Sequence, residues 1–359
     1  MKILFITTND IKQAFGGALA SKRNYEMLCS LAGKESVEMI LLSELENTNI
    51  FCKVKKFFSK VVYRRQFDLT PLFNLEFTKY DVLFNDNSVT GEIFKIAANN
   101  GYKGKKISFF HNCELSLYQQ MYSGVPWYKR IPLIRIVKAN ETLSLKLSDK
   151  CILLNQRDLK SLKDLYSIDF KNIIIPITLE DRFDKSKMNI SIEHQKPVFT
   201  FLGSYFAPNV NGILWFIKNV LPFVDIKLQI IGKNMSKIFD KIDNKKGIEI
   251  LSDVTCLDKY LYESDCMLFP IFEGSGMKLK TCEALMFGKN IIGTPEAFAG
   301  YDIDDYTNVG ACCRTPDDFI NSIKFFNKPR FNEYSRNFYL KNYSYEVSKD
   351  LFVQLFKTI

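Results

Sequence analysis

The sequence predicts an α/β protein built from two Rossmann-like domains in tandem. Three observations carry this prediction: the length, the alternation of short apolar runs with helical stretches, and the recurrence of that alternation in both halves. The chain has 359 residues, 47% hydrophobic and 25% charged. At about 100 to 200 residues per domain this fits two domains, and the composition excludes a disordered or collagen-like chain.

In the first half, residues 2–7, 37–42, 81–85, 106–111, 150–154 and 173–177 are β-rich runs with helical patterns between most of them. Such alternation implies a parallel sheet wrapped by helices. The second half repeats it, with strands expected at 197–203, 226–232, 247–251, 265–270, 290–293 and 308–312, and helices at 209–220 and 278–287. The join is expected after Ile177, in the charged stretch 180–196, which lacks an apolar period. The domains are then 1–178 and 179–344, with a closing helix at about 345–359 packing back on the first. Ligands of such sheets sit beyond the carboxyl ends of the strands, so two facing domains are expected to form a cleft.

No apolar run approaches the roughly 20 residues that span a bilayer, and residues 1–10 turn polar too early for a signal peptide. Nine cysteines lie scattered without a Cys-x-x-Cys pair, and His111 and His194 are the only histidines. Neither a disulfide framework nor a zinc site is expected, and a reducing cytoplasm is the expected location. Net charge is +9, and residues 1–178 hold 26 Lys and Arg against 17 Asp and Glu, so the whole excess lies in the first half. That asymmetry points to an anionic surface or substrate facing one domain.

The strongest motif runs from Phe269 to Leu285. A buried strand leads into a turn containing Gly274, Ser275 and Gly276, and a helix follows with Leu279, Cys282 and Met286 expected on its inward face. The glycines let backbone come close to a ligand, and a helix start presents free N–H groups and a positive dipole end. Lys278 and Lys280 fall where the dipole disfavours cations. A bound diphosphate resolves that inconsistency; a solvated basic helix start is the plainer reading. Glu283, one turn on, is suited to accept from the two hydroxyls of a ribose, and Glu273 from hydroxyls of a sugar. Against these stand an ordinary surface helix glutamate and an isolated loop acid.

Phe201-Leu202-Gly203-Ser204, Pro208-Asn209-Val210-Asn211-Gly212, Trp215, the Glu273 to Leu285 block and Gly293-Thr294-Pro295-Glu296-Ala297-Phe298-Ala299-Gly300-Tyr301 resemble the nucleotide-binding domain of family 4 glycosyltransferases of GT-B fold, of the bacterial polysaccharide-biosynthesis type. In the first half, Gly16-Gly17 with Ser21-Lys22-Arg23 resembles the family's first glycine-rich loop, and His111-Asn112-Cys113-Glu114 its His-Asn-x-Glu segment. Tyr343-Ser344-Tyr345-Glu346 resembles the start of its last helix, which commonly crosses back onto the first domain. The resemblance implies His111, Glu273 and Lys280 as catalytic residues. It implies Gly16, Gly17, Gly203, Gly274, Ser275, Gly276, Met277, Lys278, Leu279, Lys280 and Glu283 as donor-binding.

Two departures accompany it. Many members place two glutamates eight positions apart, whereas Glu273 and Glu283 are ten apart, which favours Glu283 as the ribose ligand over Glu273 as the sugar ligand. Where members often carry an arginine and a lysine after the first strand of this domain, Ser204 and Asn209 stand, so the phosphate charge falls mainly to Lys278 and Lys280. Asp302-Ile303-Asp304 matches the metal-binding pattern of the other major glycosyltransferase fold, but lies outside any suitable strand end and is discounted. No metal or other cofactor is expected, since lysines and helix amides can neutralise the leaving diphosphate.

Residues 51–65 hold Lys53, Lys55, Lys56, Lys60, Arg64 and Arg65, no acid, and apolar residues at 54, 57, 58 and 61 in helical spacing. Residues 127–138 add Lys129, Arg130, Arg135 and Lys138 among Trp127, Tyr128, Leu133 and Ile134. Both suit anionic lipid headgroups and a peripheral place on the inner membrane face; a solvated basic helix face is the alternative. No nucleic-acid module is recognisable.

The expected function is transfer of a sugar from a nucleoside diphosphate sugar to a saccharide or lipid-linked saccharide, with the retention of configuration that the resemblance implies. The alternatives are a GT-B nucleotide-sugar epimerase or hydrolase, and a non-catalytic sugar-binding protein.

Overall fold

A computed structural model describes residues 1–13, 16–44, 67, 69–189, 195–274 and 276–359. The chain divides into two compact units, Met1–Ile177 with Ser348–Ile359, and Thr178–Val347. Along the first lie β1 (Ile3–Thr7), α1 (Gly16–Ala32), β2 (Val37–Leu41), β3 (Val82–Asn85), α2 (Glu92–Asn99), β4 (Lys105–Phe109), α3 (Glu114–Met121), α4 (Trp127–Leu147), β5 (Lys150–Leu153), α5 (Gln156–Tyr166) and β6 (Asn172–Ile174). The second holds β7 (Val198–Leu202), α6 (Ala207–Asn219), β8 (Lys227–Gly232), β9 (Ile248–Ser252), α7 (Asp258–Glu263), β10 (Cys266–Phe269), α8 (Leu279–Met286), β11 (Ile291–Gly293), β12 (Gly310–Cys312), α9 (Pro316–Lys324) and α10 (Glu333–Asn342). A last helix, α11 (Tyr345–Lys357), begins in the second unit and continues into the first.

The first sheet is parallel throughout, in the order β2-β1-β3-β4-β5-β6. Every side chain of β1 and β3 is buried. Strands covered by helices on both faces must be apolar without interruption, which is why these runs do not alternate. The expected strands 106–111 and 173–177 stop short, at Phe109 and Ile174. One further ladder bond follows each, from Phe110 N–H to the Ile152 carbonyl and from Ile175 N–H to the Leu153 carbonyl, both 2.9 Å. His111 therefore lies past the strand, where its side chain turns to other partners.

The distal part of α11 packs on this unit. Phe352 stacks on Phe84 with ring centroids 6.4 Å apart, and Arg23 of α1, almost wholly buried, donates to the Ser348 hydroxyl at 3.1 Å and the Pro176 carbonyl at 2.9 Å. Its guanidinium also lies 5.6 Å from the Phe109 ring and 5.8 Å from that of Phe352. A planar cation that stacks while donating suits such a buried joint.

The second sheet is again all parallel, in the order β12-β11-β10-β7-β8-β9. Strand order reverses between β7 and β10, where Cys266 pairs with Phe199. At that reversal the connections leave to opposite sides and open a crevice at the carboxyl ends of the two strands. Gly212 of α6 lets the helix reach the exit of β10, for a Cβ there would stand 1.9 Å from the Pro270 carbonyl oxygen.

Candidate functional site

In the second unit the loops after β7, β10 and β11 meet at the strand reversal. β10 ends at Phe269, and the chain passes through Gly274 at φ 136° and Gly276 at φ 64° before α8 starts. A side chain at either glycine would strain the turn. Ser275, expected among the donor ligands, lies outside the described residues. Lys278 precedes the helix in extended conformation instead of lying in its first turn, and among the described residues no side chain caps the helix start. The expected inward face is also revised: Leu279 is only half-buried, whereas Thr281, Cys282, Ala284, Leu285 and Met286 are buried. So short a helix between sheet and neighbours buries more than one stripe. Met277 is buried before it.

Lys278 Nζ donates to Glu296 Oε1 at 2.6 Å and to the Gly276 carbonyl at 3.1 Å. The Tyr301 hydroxyl donates to the Lys278 carbonyl at 2.8 Å, so the loop after β11 braces the one after β10. Lys280 Nζ donates to Asn209 Oδ1 at 2.7 Å and lies 4.8 Å from the Phe201 ring centre. Burial, and then the neighbouring Lys278 charge, bring its pKa down to about 7. The nearby Glu283 carboxyl works against that fall without cancelling it, and a group so perturbed at a crevice is suited to meet an anion. Asn209 in turn donates to the Ser204 carbonyl at 3.0 Å. Gly203 makes room for it, since a Cβ there would stand 2.9 Å from Asn209 Cγ.

Glu283 faces a partner that the sequence reading missed. Its Oε1 accepts from Arg182 Nη2 at 3.0 Å, while Arg182 Nε donates to Asp258 Oδ1 of α7 at 3.1 Å. Burial raises the Glu283 pKa, and Arg182 works against that rise. Arg182 lies 101 residues away in sequence, within a charged stretch that carries no local signal. Glu273 stays exposed on the loop.

The first unit has its own strand reversal, between β1 and β3, and a buried carboxylate occupies it. Asp86, directly after β3, accepts from the Thr7 hydroxyl at 2.9 Å, from Asn24 Nδ2 at 2.6 Å and from the Ser21 hydroxyl. His111 Nε2 lies 2.8 Å from the Asp86 carbonyl oxygen and 3.5 Å from its Oδ2. Donation from Nε2 leaves Nδ1 as the ring's acceptor. Burial pulls the imidazole pKa down, but Asp86, and after it Glu114, outweigh this and leave it raised. Gly16 and Gly17, the pair that resembles the family's glycine-rich loop, form the first turn of α1. Glu141 of α4 accepts the N–H groups of Glu114 at 2.9 Å and Leu115 at 3.0 Å, capping α3 behind the His111 segment. Lys53, Lys55, Lys56, Lys60, Arg64 and Arg65 lie outside the described residues.

Residues 196–326 match the family described as Glycosyl transferases group 1. No curated protein sequence matches the chain. Among solved structures it is similar to sucrose-phosphate synthase from Thermosynechococcus elongatus, with 12% identity, TM-score 0.73 and coverage of 99% of this chain and 98% of that one. It is also similar to HepE of Anabaena in complex with UDP and glucose, with 10% identity, TM-score 0.66 and full coverage of both chains. A third is WaaG, a glycosyltransferase involved in lipopolysaccharide biosynthesis, with 13% identity, TM-score 0.65 and coverage of 97% of this chain and 98% of that one. At such identities the structures establish the two-domain GT-B fold.

Proposed function

We propose, from the GT-B fold and the match of residues 196–326 to the group 1 glycosyl transferases, that the protein transfers a sugar from a nucleoside diphosphate sugar to a saccharide or lipid-linked saccharide, with retention of configuration. The observation that carries the donor reading is the pair Lys278 and Lys280 beside the uncapped start of α8, at the reversal of the second sheet. Two ammonium groups and free helix amides converge there on the charge pattern of a diphosphate. The related HepE structures with UDP, UDP-glucose, or UDP and glucose support a nucleotide-sugar donor. Lysines and amides supply the electrostatic stabilisation a departing diphosphate needs, so the reading calls for no metal.

In the retaining step the acceptor hydroxyl oxygen bonds to the anomeric carbon on the face the diphosphate leaves. The carbon–oxygen bond to the diphosphate breaks, and the departing phosphate oxygen takes the acceptor's proton. The test is product analysis with a panel of nucleoside diphosphate sugars: acceptor-dependent release of nucleoside diphosphate with an unchanged anomeric configuration is expected. Equal release without acceptor identifies a hydrolase, and no turnover identifies a binding protein.

His111 is assigned to the transfer step. Replacing it by alanine is expected to lower kcat at least tenfold while leaving nucleotide affinity within about twofold, because contacts made mainly in the transition state act on kcat. Normal kcat per folded molecule, with a lowered melting temperature, makes the histidine structural.

The first unit is assigned to the acceptor and to an anionic membrane surface. In α4, none of residues 127–135 is buried, and Trp127 and Tyr128 are 69% and 58% exposed. Lys129, Arg130 and Arg135 share that stretch, the first two against the helix dipole, and no acid occurs until Glu141. Among the described residues no helix is long and apolar enough to cross a membrane, so attachment would be peripheral. Each basic residue near an anionic surface contributes about 1 kcal/mol. In liposome flotation, binding is expected to require anionic lipid, to fall with added salt, and to drop sharply when Lys129, Arg130 and Arg135 become Glu. The same is expected when Lys53, Lys55, Lys56, Arg64 and Arg65 become Glu. Equal flotation with neutral vesicles, or none with anionic ones, overturns the membrane assignment.

A further inference from the structure

The carboxylate of Glu283 is held from one side only. Arg182 Nη2 takes Oε1 at 3.0 Å, and among the described residues Oε2 has no hydrogen-bond partner. Arg182 is itself fixed, with Nε on Asp258 Oδ1 at 3.1 Å and its guanidinium carbon 5.9 Å from the Phe287 ring centre. A planar guanidinium clamped at Nε and Nη2 sets both the position and the rotation of the carboxylate it meets. From this we propose that Arg182 is a positioning residue for donor recognition: it holds Glu283 so that Oε2 accepts hydrogen bonds from the ribose hydroxyls of a nucleoside diphosphate. The inference rests on the donor reading above and assigns Arg182 a part in it.

A second consequence separates positioning from mere packing. The charged and titratable groups that bear on Glu283 are Arg182 from the chain segment between β6 and β7, Asp258 of α7, Lys280 and Cys282 of its own helix, and Tyr301 after β11. Burial favours the protonated carboxyl, and Arg182 is the chief opposing influence. Without Arg182 the carboxyl holds its proton to higher pH, so recognition that requires the carboxylate fails at higher pH than in the wild type. Lys280 titrates too and bears on Glu283, but it is present in every variant compared, so the change on replacing Arg182 is read against the same background.

The experiment is calorimetry between pH 5.5 and 8.5, using whichever of UDP, GDP and ADP binds most tightly, with its 2′-deoxy and 3′-deoxy analogues. Arg182→Ala is expected to lose most of the preference for ribose over deoxyribose at pH 6, on the order of tenfold in affinity. The midpoint of that preference should move up by about one pH unit, and Arg182→Lys should restore part of it. Asp258→Asn, which loosens the other edge of the guanidinium, should lose part of the preference without moving the midpoint up, because the Asp258 charge itself raises the Glu283 pKa, and serves if Arg182→Ala does not fold. A folded Arg182→Ala protein with wild-type preference and midpoint overturns the positioning role while leaving the donor site standing. If Glu283→Gln keeps the full ribose preference, the ribose reading itself fails, and the inference with it.

Discussion

Lys280→Ala is expected to weaken nucleoside diphosphate binding by about 1.5 to 3 kcal/mol, roughly ten- to 150-fold, the range for charge-assisted hydrogen bonds to a phosphate. The lysine is anchored for that role, with its ammonium on Asn209 and against the Phe201 ring. A pH dependence accompanies the loss. With its pKa lowered to about 7 in the free protein, Lys280 carries its proton below pH 7 and loses it above. A bound diphosphate raises that pKa again, so at pH 8 binding must take up a proton and affinity falls as pH rises from 7. Calorimetry at pH 8 in buffers of different ionisation enthalpy measures the uptake directly. The uptake should vanish in Lys280→Ala; an unchanged dissociation constant removes Lys280 from the site.

Asp86→Ala is expected to destabilise the protein by about 3 to 5 kcal/mol, the cost of removing one side of a buried charged network. The wholly buried carboxylate gathers donors from β1 (Thr7), α1 (Ser21 and Asn24) and the segment after β4 (His111). Without it those groups remain buried and lack their acceptor. A fall in the thermal midpoint on the order of 10 °C should follow for units of this size. Asp86→Asn, which keeps the shape but turns a donor toward donors, should fall between wild type and alanine. A midpoint within 1 °C of wild type for Asp86→Ala, by calorimetry at about that precision, would show that the network contributes nothing net.

The twelve strands of the described residues were legible as short β-rich runs between helical stretches; β1 and β10 are nearly all apolar because both faces are buried, whereas β2 and β9 carry polar residues and are less buried. Their ends were less legible. His111 looked like the last residue of a strand, but strand and loop differ there only in whether the backbone still pairs, and the partner its side chain takes, the Asp86 carbonyl, is 25 residues away. The α8 block was legible for another reason: glycines at positive φ, two lysines at or just before a helix start and the end of a buried strand all fall within one stretch of 17 residues, 269–285. Of the expected inward face of α8, Cys282 and Met286 are buried and Leu279 is not, and Thr281, Ala284 and Leu285 are buried as well, because a single apolar stripe is the rule for a helix on a surface and this one is covered on more sides.

By itself the sequence determined what local chemistry can fix: two repeats of strand and helix, the glycine turn after β10, the two lysines beside the start of α8, and the confinement of positive charge to the first half. Only the tertiary structure decided who faces whom. Thr7 and Asp86 are 79 residues apart, Asn209 and Lys280 71, and Arg182 and Glu283 101. A parallel sheet forces this division, for its neighbouring strands are joined by long crossovers, and the strand order that brings two loops to one crevice leaves no periodicity in the chain.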